Sequence, residues 1–128
     1  MLRPPPPQIL EGRQGEPTRP VEVYDLKSRR RIDAEITRRS IDFMERNVRA
    51  GRPFFAYLPT ILPHVELTAP DDSWTEYKGK WPKIARADPR PGYIGSEDAL
   101  AEFAGMVSRM DKHVGEVMAL LKRLGIDE

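Results

Sequence analysis

The chain contains no cysteine. A disulfide framework, a thiolate zinc site and a cysteine nucleophile are therefore excluded within these residues. No apolar run is long enough to span a bilayer, so no membrane segment is expected. The opening residues, Met1-Leu2-Arg3-Pro4-Pro5-Pro6-Pro7, lack the apolar centre of a signal peptide, which leaves the chain without an export address and its compartment unassigned. Excess charge of either sign is also missing. Lysine and arginine number 21 against 20 aspartates and glutamates, for a net charge of +1, so the whole-chain field gives no argument for nucleic acid or an anionic membrane as partner. The two histidines, His64 and His113, stand in no ligand-like spacing, and no metal site is read from them.

Proline, in contrast, is abundant, with 13 residues. Residues 1–32 hold the tetraproline Pro4 to Pro7 with Gly12, Gly15, Pro17 and Pro20, a composition that favours polyproline II and open coil, and then the short basic run Lys27 to Arg31. This part reads as a proline-rich, basic arm or linker, with a solvated linker as the plainer reading of the basic run. Val21-Glu22-Val23-Tyr24 alternates like a short edge strand. Residues 33–128 read as the packed part.

Asp33 is a good helix N-cap residue, with Glu35 placed to meet the helix dipole, and the helix should run to about Ala50. Ile36, Ile41, Met44 and Val48 fall near one face, with Phe43 beside them. Gly51 supplies the left-handed stop, and Pro53 keeps the helix from resuming. There follows Arg52-Pro53-Phe54-Phe55-Ala56-Tyr57-Leu58, apolar and short, which suits an interior strand of a sheet covered on both faces. Its partners are largely not in this sequence. Pro59 and Pro63 break the run and deliver His64 into the loop beyond the strand, the place where open α/β sheets bind ligands. His64 is thus the candidate catalytic residue; satisfying a loop backbone group is the bland alternative.

From Pro59 to Gly95 no period is sustained, and a connection of that length is a functional loop or a flexible insertion. Trp74, Tyr77, Lys78, Lys80 and Trp81, with Tyr93, are candidates for lining a substrate cleft, or else the rings pin the loop while the lysines face water. The last helix is capped by Ser96, has Glu97 and Asp98 in its first turn, and stops at Gly125. Leu100, Phe103, Val107, Met110, Val114, Val117, Leu121 and Leu124 recur at spacings of three and four, an apolar seam that must be covered by self-association, by a sheet or by the first helix. Asp111, close to that seam, should have a partner such as Arg109 or a backbone donor, and His113 should face outward.

The order of these parts resembles the middle of a sulfatase of the arylsulfatase branch, within the alkaline-phosphatase-like superfamily. The likeness covers roughly Asp33 to Glu128, and rests on the strand leading to Pro63-His64 and on Met106-Val107-Ser108-Arg109-Met110-Asp111. It implies an α/β fold present here as an incomplete part of that domain, with two long helices, one interior strand and a long loop. It also implies a sulfuric ester hydrolase whose complete members use calcium and a formylglycine residue, and are often exported or lysosomal. His64 matches the family histidine that lies against the sulfate group and donates a hydrogen bond or proton as the ester breaks. Many members place a proline two residues after it, where this chain has Glu66. The Cys-x-Pro-Ser-Arg nucleophile segment, the early metal-binding aspartates and the Asp-Asn-Gly segment are not in this chain. The chain is therefore expected to carry no cofactor of its own and to be inactive alone, as a fragment of a parent whose partner is a sulfate ester. A phosphodiesterase or phosphonate hydrolase of the same superfamily is the alternative within the enzymes. A small helical module that self-associates through the Leu100 to Leu124 seam is the alternative outside them.

Overall fold

The computed structural model describes residues 6–64, 66–84 and 96–127. Tyr93, with the prolines at 89 and 91, lies outside them. The described residues form an α/β arrangement: strands β1 (Gln8–Glu11) and β2 (Arg19–Val23), then helices α1 (Leu26–Arg29), α2 (Ile32–Arg49), α3 (Asp71–Trp74) and α4 (Ala99–Leu124), with a 3-10 turn at Thr75–Tyr77 after α3.

The proline-rich N-terminal part is more ordered than its composition suggests. β1 and β2 pair antiparallel, and the register slips between Ile9 and Leu10 so that Leu10 faces Pro20. A proline lacks the N–H a ladder needs, and an irregularity is where a strand tolerates one. The hairpin is tied to the helical part by Arg39 with Glu11 at 3.4 Å and by Arg31 with Glu22. The basic run is likewise built into the fold. Asp25 and Ser28 form a capping box at α1, and Arg29 ion-pairs with buried Glu66 while its guanidinium lies over the Tyr24 ring.

α2 begins ahead of its sequence signal. Arg31 holds the N-cap position with no side-chain cap bond, because the chain runs into α2 directly from a helical turn, Arg31 N–H donating to Ser28 and Glu35 N–H to Arg31. Asp33 is therefore inside the helix and not its cap. Its carboxylate turns inward, and the buried positions of α2 are Asp33, Thr37, Met44 and Asn47, with Ile36, Ile41 and Val48 only half-buried. The end of α2 is as expected: Gly51 takes φ 61° and the Arg52 N–H returns to the Asn47 carbonyl.

In the segment after Gly51, burial alternates with a period of two. Phe54, Ala56 and Leu58 are half-buried, whereas Phe55 is 86% and Tyr57 77% exposed. That is the pattern of a strand, yet the segment pairs with no other strand among the described residues. One face of it is covered and the other is bare. Phe54 meets Phe43 of α2 edge to face at 5.9 Å.

α4 packs on a different face from the seam. Its buried residues are Ala101, Glu102, Gly105, Met106, His113 and Leu120, whereas Leu100, Phe103, Val107 and Val114 of the seam are exposed, as is Met118 beside it, and Met110, Val117, Leu121 and Leu124 are half-buried. Small residues decide this. Gly105 lets α3 approach so closely that a Cβ there would stand 2.6 Å from Trp74 Cβ, 2.8 Å from Trp74 Cα and 2.9 Å from the Ser73 carbonyl oxygen. Met106 beside it joins Leu62, Leu67 and Ala69 in the core cluster, against which Trp74, Ala99 and Met110 pack. The start of α4 also differs from expectation: Asp98 is the N-cap without a side-chain bond, and Ser96 Oγ accepts the Asp98 N–H ahead of the helix. Asp111 is exposed and Arg109 pairs with Asp72 at 2.5 Å, so the expected Asp111 partner is engaged elsewhere. No described helix is long and apolar enough to cross a membrane.

The close approach at Gly105 yields a stability prediction. Gly105→Ala gains helix propensity of about 1 kcal/mol but forces backbone atoms of α3 to move, and overpacking of this kind costs about 1–3 kcal/mol. Because two of the contacts are backbone, the clash should prevail, and urea denaturation should show a lower midpoint with an unchanged slope. A midpoint at or above that of the parent would contradict the packing described.

A candidate active site around His64

His64 stands exposed at the end of a tightly held turn. The Leu62-Pro63 peptide is cis, Thr60 Oγ1 donates to the Leu62 carbonyl at 2.9 Å, and the His64 N–H donates to the Ile61 carbonyl at 2.8 Å. Leu62 anchors the turn by its side chain in the core. Behind it lies Asp33, only 4% exposed, whose Oδ1 accepts the Ile61 N–H at 3.0 Å and whose Oδ2 accepts the Leu62 N–H at 3.2 Å. Burial pushes the Asp33 carboxyl above its ordinary value, against the opposing pull of those two amides and of His113.

On the far side of the histidine, Glu66 is 3% exposed and ion-paired with Arg29. Two residues past His64, an ion pair to α1 holds the chain. The turn bearing His64 is thus held before and after the imidazole. An exposed imidazole on such a turn can donate a hydrogen bond or a proton to an anionic group arriving from solvent.

His113 does not face outward as its sequence position suggests. It is 6% exposed, and its Nδ1 finds no hydrogen-bond partner among the described residues. The helix rotation that buries Gly105 and Met106 also carries His113, two turns on, to the inner side of α4. Burial holds its imidazole below the ordinary value; Glu116 and Asp33 act to raise it, and Arg109 and Lys112 to lower it.

The aromatic and lysine candidates form a second group. Lys78 Nζ sits 4.1 Å from the Trp74 ring centre and Lys80 Nζ 4.7 Å from that of Tyr77, while Tyr77 and Trp81 stack at 6.1 Å. Tyr77 Oη bonds Ser108 Oγ at 2.5 Å, which fixes this group to α4. The cleft beside it, lined by Trp74, Lys78, Lys83, Glu97, Asp98 and Glu102, carries both signs of charge. Among the described residues, no hydrogen bond, ion pair or ring contact joins the His64 side chain to this group. Sequence reasoning names His64 and these rings as candidates and does not single out Asp33, Arg29 and Glu66, which hold the turn that bears His64.

The calcium implied by the resemblance finds no cage here: no group of three or more His, Cys, Asp or Glu side chains among the described residues is arranged to hold a metal ion. Comparison with known proteins finds a family model described as Sulfatase that matches residues 8–128. No curated protein and no solved structure matches the chain.

The buried His113 makes stability depend on pH. In the unfolded chain its imidazole takes a proton as pH falls through 6.5, whereas the folded chain resists until a lower pH. The unfolded state binds more protons in that window, so stability falls on acidification below 6.5 down to the folded value. Asp33 has the opposite sign: its raised value means that the associated stability is present at low pH and lost as pH rises through the folded value. Thermal melts between about pH 7.5 and 5.5 should therefore show a declining midpoint that flattens in His113→Gln. Parallel profiles for the two proteins would contradict the burial of a neutral His113.

Proposed function

The chain belongs to the sulfatase family, and we propose that it supplies the histidine-bearing part of a sulfuric ester hydrolase site. The observation that carries this reading is the exposed His64 imidazole on a turn held on both sides. A departing phenoxide or alkoxide needs a proton, and a fixed imidazole reaching into solvent is suited to give one or to bond the sulfate oxygens. The nucleophile is outside these residues, since the chain has no cysteine and no serine followed two residues later by proline. Calcium and a formylglycine residue belong to the complete enzyme, and no step here depends on residues of this chain holding either. Trp74, Tyr77 and Trp81 with Lys78 and Lys80 are the candidates for contacting the rest of an aromatic or sugar ester, which would displace the lysines that now cover the Trp74 and Tyr77 rings.

Two bare apolar surfaces support the reading that the chain is part of a larger domain. One is the Phe55 and Tyr57 face of the unpaired extended segment, and the other is the seam face of α4 with Leu100, Phe103, Val107, Val114 and Met118. Among the described residues seven apolar ones are buried, Met44, Leu62, Leu67, Ala69, Ala101, Met106 and Leu120, fewer than the large apolar residues left exposed. Such surfaces are covered in a stable protein. The same α4 face favours a second reading, a helical module that self-associates through the seam.

The two readings separate by experiment. The purified chain should release no detectable phenol from an aryl sulfate, with or without added calcium; metal-dependent turnover would overturn the account of what it lacks. By sedimentation, Phe55→Ser with Tyr57→Ser should reduce association of the chain more than Val114→Glu with Met118→Glu if an open sheet layer drives it. A discrete dimer abolished only by the α4 pair would establish the helical module instead.

A further inference from the structure

The geometry points to Asp33 and Glu66 as positioning residues for His64: two buried carboxylates that grip the chain before and after the histidine and set the path on which its imidazole meets an anionic ester. The inference rests on the reading of His64 as the residue facing that ester. Asp33 reaches from the first turn of α2 across 28 residues of sequence, and each of its oxygens takes one of two successive backbone N–H groups, Ile61 and Leu62. Glu66, two residues past His64, is held by Arg29 from α1. Both grips end on helices that precede the turn, so the turn is fixed to a frame independent of its own sequence.

Charge favours this arrangement over two carboxylates placed freely near a sulfate. A bare carboxylate there would repel the substrate by several kT at low dielectric. Asp33 commits its lone pairs to backbone amides and Glu66 is neutralised by Arg29, so both hold the turn while remaining buried beneath it. Of the described residues between the two grips, from Ile61 to Glu66, His64 is the exposed one. The Glu66–Arg29 pair gives the turn a second attachment.

The test is amide hydrogen exchange and histidine ring spectroscopy by NMR on the full chain, comparing the parent with Asp33→Asn and Glu66→Gln. Asp33→Asn presents a donor where one acceptor stood, and exchange at the Ile61, Leu62 and His64 amides should quicken about tenfold or more relative to Met106 and Leu120 in the α4 core. Each variant should also shift the His64 ring resonance while leaving the core amides in place. Uniform acceleration at all of these amides would overturn the inference, because it would make the carboxylates general stabilisers. Unchanged exchange and an unchanged ring signal would overturn it as well. If a variant does not fold, the parent decides: Ile61 and Leu62 amides exchanging as fast as those around the exposed Tyr57 would exclude the grip, and protection matching the core would support it. No ester is cleaved in this experiment. An intact grip with a His64 that proves dispensable in a completed enzyme would count against the reading of His64, not against the grip.

Discussion

A carboxylate buried in α2 and bonded to two backbone amides of a distant turn is the contact on which the other parts of this structure depend. Burying an unpaired charge costs several kcal/mol, about 3–5 when one partner of a buried pair is removed. Asp33 avoids that cost only while Ile61 and Leu62 stay where they are, so the helix and the turn specify each other. Once the turn is placed, Leu62 enters the core beside Met106, and α4 is drawn to the same point. His113 then lies inside α4 with Asp33 contributing to its electrostatic environment. Helix, turn and second helix are joined through one acidic side chain.

How much of this is legible in the sequence depends on how local each signal is. Gly51 and Gly125 end their helices in the left-handed conformation, as their positions suggest, because a stop depends on one residue's backbone freedom. Asp33 reads as the cap of α2 because it has the right chemistry for one, but it has a stronger use elsewhere; a bond across 28 residues leaves no local mark. The α4 seam misleads for another reason. An apolar stripe shows which face is suited to burial, but burial needs a partner surface, and the small Gly105 offers α3 a closer fit than the bulky stripe. His113 reads as outward for the same reason, since its position is judged against the stripe. In the proline-rich part, composition conceals a hairpin whose Glu11 and Glu22 are held by Arg39 and Arg31.

The site shows the same division. His64 is visible because prolines bracket it and an apolar run precedes it, both local features. The grips on either side of it are hidden because they are made by residues 31 positions before it and two after, and the partner of the second lies in a run that reads as a solvated linker. The extended segment that leads to His64 keeps the alternation of a strand without a ladder, and its bare face matches the bare face of α4 in kind. The turn bearing His64 is held firmly in a chain of the sulfatase family that leaves large aromatics such as Phe55 and Tyr57 in water.

The most direct measurement is to sequence the DNA on both sides of this reading frame and translate it in every frame. The account predicts a Cys-x-Pro-Ser-Arg or serine-equivalent segment upstream and an Asp-Asn-Gly segment shortly downstream, continuous with this frame, which would complete the chemistry that His64 can only assist. Stop codons or unrelated sequence on both sides would contradict it, and would leave a chain whose bare surfaces must be covered by its own copies.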